Sequence, residues 1–77
     1  MPDEGTPESL IEFIAKGIVD NPEDVRVSVK DGVLIELETN PEDRGRVIGR
    51  QGRVAKAMRA LLAISRKGAN HRLDIVD

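Results

Sequence analysis

Val47-Ile48-Gly49-Arg50-Gln51-Gly52-Arg53 is the stretch that decides how this 77-residue chain reads. Two glycines bracket an arginine and an amide. Glycine has no Cβ, so such a loop lets bare backbone approach a phosphate. A helical pattern comes next, and a helix start offers unpaired N–H groups and the positive end of its dipole. Arg50 and Arg53 add full charges at the same place. Taken alone, the two glycines also make an ordinary helix stop and turn. Their surroundings have to decide.

Downstream, Val54, Met58, Leu61, Leu62 and Ser65 form the inward stripe of a helix, and Ala55, Ala57, Ala60 and Ala63 raise its helix propensity. Gly68 is its expected stop, with Arg66 and Lys67 in the last turn. Upstream, Asn40 is placed to cap a short helix, with Pro41 at its first position and Asp43 three residues after the cap. That helix ends at Gly49. Gly45 within it suggests close packing against a neighbour.

Further upstream, Val25, Val27 and Val29 alternate with Arg26, Ser28 and Lys30, and Val33, Ile35 and Leu37 alternate with Leu34, Glu36 and Glu38. These are two half-buried strands joined at Lys30-Asp31-Gly32. A three-residue loop pairs Val29 with Val33, Val27 with Ile35 and Arg26 with Glu36, which keeps the valines on one face. Before them, Thr6-Pro7-Glu8 starts a helix whose apolar stripe is Leu10, Ile11, Ile14 and Ile18, with Phe13 beside them. It ends at Asp20-Asn21-Pro22. At the other end, His71, Leu73 and Ile75 alternate with Arg72, Asp74 and Val76 in a final strand. No internal repeat and no low-complexity segment are expected.

Composition narrows the function classes. The chain has no cysteine and one histidine, so disulfide frameworks, thiolate metal sites and His-cluster sites are excluded. No apolar run approaches the ~20 residues of a membrane span, and no secretory leader is visible; the cytoplasm is the expected location. The net charge of -2 hides an asymmetry: residues 1–40 carry 3 basic and 10 acidic side chains, residues 41–77 carry 9 and 4. The basic half holds the glycine loop, and a concentrated basic patch can bind polyanions on an acidic protein.

The element order, with Gly-x-x-Gly between the last two helices, resembles the KH domain in its type II arrangement. It is most similar to the small single-domain bacterial KH proteins of the KhpA family. The resemblance is carried by Asp20-Asn21-Pro22 with Val25-Arg26-Val27, by Pro41-Glu42-Asp43, by Gly45 to Arg53, and by Ile75-Val76-Asp77. It covers residues 8–77 as a single KH domain; residues 1–7 are read as a flexible tail. It implies an α+β fold of order α-β-β-α-α-β, a three-stranded mixed sheet with three helices packed on one face. It implies a groove for about four nucleotides of single-stranded RNA. Gly49, Arg50, Gln51, Gly52 and Arg53 would hold the RNA backbone. Arg46, Ile48, Val54, Lys56, His71, Arg72 and Leu73 would form the groove and its flank, with Ile48 and Val54 as floor and His71 to Leu73 as strand edge. Position 44, often apolar in relatives, is Arg44 here, and Arg50 stands where relatives commonly carry Lys.

The resemblance further implies no cofactor, no small-molecule substrate and no membrane. It implies a homodimer, or a heterodimer with a larger KH protein (KhpB, also called Jag or EloR), and an RNA-chaperone-like role tied to cell-wall synthesis and cell shape. With Phe13 as the one aromatic, stacking platforms are unavailable. Three other readings stay open: a protein-interaction module, binding of single-stranded DNA or ribosomal RNA, and ordinary packing for His71. An enzyme is disfavoured, because the loop lacks the Lys-Ser/Thr of a P-loop and no paired carboxylates stand out.

Overall fold

The computed structural model describes residues 6–76; Met1 to Gly5 and Asp77 lie outside the described residues, and with them most of the expected tail. Helix α1 spans Pro7–Ile18, strand β1 Arg26–Lys30, strand β2 Leu34–Glu38, helix α2 Arg44–Ile48, helix α3 Arg53–Ile64 and strand β3 Arg72–Ile75. Single 3₁₀ turns at Pro22–Asp24, Pro41–Asp43 and Arg50–Gly52 link them. The sheet order is β1-β2-β3, with β1 antiparallel and β3 parallel to β2. This is the mixed α+β architecture expected of a type II KH fold.

Ile35 pairs with Val29 and Leu73, and Leu37 with Val27 and Ile75, so these six share one sheet face. They join Ile11 and Ala15 of α1, Val47 of α2, and Met58 and Leu62 of α3 in one core. All three helices therefore cover the same face. Thr6 caps α1 through its hydroxyl, which accepts from the Ser9 N–H at 3.2 Å, and Pro7 occupies the first helical position.

Several details differ from the sequence reading. The hairpin register is shifted by two residues: Lys30 faces Leu34, Val29 faces Ile35 and Arg26 faces Glu38. Asp31 and Gly32 both take positive φ, and the Val33 N–H donates to the Lys30 carbonyl at 3.1 Å, so Val33 belongs to the turn. Lys30 then reaches Glu36 at 3.3 Å. Phe13 is 61% exposed. It lies two residues past the fully buried Ile11, about 200° round the helix, and points away from the core. In α3 the buried stripe is Ala55, Met58 and Leu62, while Leu61 is 41% exposed. The helix ends at Ile64, before Gly68, so Arg66 and Lys67 lie beyond its last turn. A side chain added at Gly45 would meet no atom within 4 Å, so close packing is not the reason for that glycine.

Asp43 departs furthest from its expected role. Asn40 caps the turn alone, its side-chain oxygen accepting from the Glu42 N–H at 2.9 Å. Asp43 is only 2% exposed. Its carboxylate accepts from the Asp20 N–H at 3.1 Å, the Asn21 N–H at 3.0 Å and the Asn21 side-chain amide at 3.0 Å. The reciprocal bond also exists: the Asn40 amide donates to the Asp24 carboxylate at 3.0 Å. The expectation of no internal repeat is thus corrected: the chain contains a short one. Asn21-Pro22-Glu23-Asp24 and Asn40-Pro41-Glu42-Asp43 are the same tetrapeptide, folded as the same 3₁₀ turn, and each asparagine bonds the other copy's aspartate.

Burial raises the Asp43 pKa, but the Asn21 amide, the Asp20 and Asn21 N–H groups and the Arg46 charge outweigh it, and the net value lies below the ordinary 3.8. A depressed carboxylate contributes stability that is complete above its unfolded pKa and lost as pH falls through the folded one. Thermal melts should show Asp43→Asn several degrees below the parent at pH 7, with the gap closing as pH drops below 3.8. Asp24→Asn, which loses one bond at a partly exposed site, should shift the melt less.

Candidate nucleic-acid interface

Helix α2 stops because Gly49 takes φ 81° and ψ 168°, a region that L side chains essentially never occupy. The Gly49 N–H donates to the Gly45 carbonyl at 2.8 Å, and the Gly52 N–H returns to the Gly49 carbonyl at 3.0 Å. A Cβ on Gly49 would sit 2.5 Å from Val54 Cγ2 and 2.7 Å from the Val54 nitrogen. The loop backbone therefore lies directly on the first turn of α3. Gln51 and Gly52 are both left-handed, with φ 57° and 75°. For a residue with a Cβ that conformation costs about 1–2 kcal/mol. The strain at Gln51 was not readable in the sequence. Its amide oxygen accepts from the Arg53 guanidinium at 3.2 Å, which fixes Gln51 beside the helix start.

No side chain caps α3, because Gly52 has none to offer. Arg50 is exposed at the loop tip and, among the described residues, makes no side-chain hydrogen bond or ion pair. Arg53, Lys56 and Arg59 succeed one another at three-residue spacing along α3, all three exposed. Arg46 sits apart from this row: its guanidinium pairs with Asp20 at 3.2 Å. Ile48 is 37% exposed beside the loop, and Val54 is half-buried against the core.

The other end of α3 faces β3, which is an edge strand. There Arg59, Leu62, His71, Arg72 and Leu73 line a groove of about 330 Å³. Its apolar floor is Leu62 and Leu73; Ile48 and Val54 are not in its lining. Arg59 is the residue that sequence reasoning missed. Its Nε and Nη2 donate to the Leu73 carbonyl at 3.3 and 3.2 Å. The available signal was its place at the end of the three-residue row Arg53, Lys56, Arg59 on the same helix. His71 Nδ1 is buried and has no hydrogen-bond partner.

The two loop glycines differ, and substitution should separate them. Gly52→Ala adds a Cβ in open space and should lose only about 1 kcal/mol for the left-handed backbone. Gly49→Ala forces the Cβ into Val54 and should destabilise the chain clearly more, as read by chemical denaturation.

Comparison with known proteins agrees with this geometry. A family model described as "KhpA/KhpB, KH domain" matches residues 8–76. RNA-binding protein KhpA of Leifsonia xyli is 52% identical over 70 residues, covering 87% of this chain and 92% of that protein. The KhpA of Halalkalibacterium halodurans is 47% identical, covering 91% and 99%. That of Mycobacterium tuberculosis is 46% identical, covering 87% and 86%. No solved structure gives a significant match. Match and geometry together place this chain in the KhpA/KhpB family of KH-domain proteins.

Proposed function

We propose that this protein binds single-stranded RNA, holding the sugar-phosphate backbone on the Gly49–Gly52 loop and the start of α3. The observation that carries the reading is the loop itself. Its backbone is locked against α3 by a glycine that tolerates no side chain, and Arg50 stands free at its tip. A preformed loop binds without the loss of freedom that a mobile one would suffer. Relatives named as RNA-binding proteins, at 46–52% identity, point the same way. Arg53 and Lys56 continue the basic track toward the groove at β3, where His71, Arg72 and Leu73 would meet the bases. The protein acts by binding, with no enzymatic step. Among the described residues, no helix is long and apolar enough to cross a membrane. We place the protein in the cytoplasm, where its RNA would be.

A site for about four nucleotides grips weakly, and two linked sites gain avidity. We assign the second site to another copy of this chain or to a larger KH protein of the KhpB (Jag, EloR) type. The family description names both KhpA and KhpB. On α3, Ile64 is 80% exposed and Leu61, three residues earlier, lies on the same side. Such a pair suits a covered surface better than a solvated one. An RNA-chaperone role in post-transcriptional control, linked to cell-wall synthesis and cell shape, completes the proposal.

Two measurements test this reading. Arg50→Asp/Gln51→Asp should fold like the parent yet lose the amide shifts that a short single-stranded RNA pool produces in the parent by NMR. Unchanged binding would sink the clamp. In the parent, three to four phosphate contacts should give a log–log salt slope of about -2 to -3. Separately, sedimentation should report a dimer for the parent and a monomer for Ile64→Glu. A parent monomer at all concentrations would remove the second copy from the proposal.

A further inference from the structure

Strand β3 pairs with β2 through alternate residues. The Arg72 N–H donates to the Val33 carbonyl at 2.8 Å and the Val76 N–H to the Leu37 carbonyl at 2.9 Å. Leu73, lying between, turns its own N–H and C=O to the free edge of the sheet. An open strand edge ordinarily offers alternating donors and acceptors to whatever docks there. Here the acceptor is taken. Arg59 reaches across from α3 and spends Nε and Nη2 on the Leu73 carbonyl. The remaining guanidinium N–H groups have no acceptor in the described residues. The groove wall therefore presents the Leu73 N–H and the spare Arg59 donors side by side, over the apolar floor of Leu62 and Leu73. Arg72 adds another cation to the same lining.

We propose that Arg59 sets the base preference of this groove. By occupying the Leu73 carbonyl it leaves only donors on the strand edge at that position. Such a surface takes base edges with two adjacent acceptors: N3 and O2 of cytosine, or N7 and O6 of guanine. Adenine sets its amino donor beside N1 on one edge and N7 on another, and uracil carries N3–H between its two carbonyls. Either would aim a donor at a donor and leave a polar group unpaired. The buried, unpaired Nδ1 of His71 in the same lining is a further polar group that a bound nucleotide could satisfy. The proposal rests on the RNA-binding reading above and adds which bases that site accepts.

The test uses the full chain with cytidine and adenosine octamers, titrated by NMR into the parent, Arg59→Met and Lys56→Met. Lys56→Met loses the same charge from the same helix and controls for electrostatics. The parent should prefer the cytidine octamer by about fivefold or more, the scale of one well-made base contact. Arg59→Met should bring that ratio below about twofold, while Lys56→Met weakens both octamers alike and keeps the ratio. Equal affinities in the parent, or a preference that survives in Arg59→Met, would overturn the proposal. Should Arg59→Met fold poorly, the parent alone still decides. Its Arg59 Nε–H and Leu73 amide signals should move with cytidine and stay with adenosine, and equal movement would count against the idea. If no loop amide responds to either octamer, the RNA-binding reading has failed and this inference goes with it.

Discussion

The reciprocal bonds between the two Asn-Pro-Glu-Asp turns set the frame on which the Gly49–Gly52 loop depends. Each turn closes with the same backbone bond: the Asp24 N–H donates to the Asn21 carbonyl, and the Asp43 N–H to the Asn40 carbonyl. The chain leaves the two turns in opposite ways. After the first, Val25 is extended and the chain enters β1; after the second, Arg44 is helical and the chain enters α2. The local sequences explain the split, because alternating valines favour a strand while Arg-Gly-Arg-Val-Ile does not. By joining the two turns, the clasp ties the end of α1 to the start of α2. A carboxylate as buried as Asp43 is tolerable only when its oxygens are satisfied, and the three donors do that.

Helix α2 has only five residues, so it holds its position by its two ends. The clasp fixes the first. Gly49 fixes the second, by lying on Val54 where any side chain would collide. Between these anchors Val47 is the one fully buried side chain of the helix. The loop after α2 is therefore stiff despite its glycines. Its strained residue, Gln51, is held by the Arg53 guanidinium, and strain of this kind gathers where a backbone must be presented in a set shape.

Element order, the capped start of α1 and the inward faces of all three strands were legible in the sequence, because each rests on local chemistry or short periodicity; at Asn40 the same cap signal opens a 3₁₀ turn, and α2 begins only at Arg44. The hairpin register was not. A shift of two residues leaves the same side chains inward, so the apolar pattern cannot tell the registers apart. The deciding facts are the positive φ of Asp31 and the Lys30–Val33 bond, which place Val33 in the turn. The pairing of the two turns escaped for a different reason. Four residues carry no period, and their meeting is a tertiary event. At the site, the glycines and Arg50 stood out because their chemistry is local. Arg59 did not, since its partner is a backbone carbonyl that only the packing of α3 on β3 brings near.

The basic balance of the second half also reads differently once partners are known. Arg46 answers Asp20, Arg53 steadies Gln51 and Arg59 holds the Leu73 carbonyl. Of the basic residues proposed for the interface, Arg50, Lys56 and Arg72 are left without a side-chain partner among the described residues. Three free cations on an acidic protein make a small electrostatic capture surface, and salt screens it readily. Such a surface can orient a strand but can hardly retain one. On the reading proposed above, retention would come from shape at the loop, from the groove edge at Arg59, and from a second site on the same strand. Three of the chain's eight arginines, Arg46, Arg53 and Arg59, are thus engaged within the fold itself, and only Arg59 of these spends its donors on backbone.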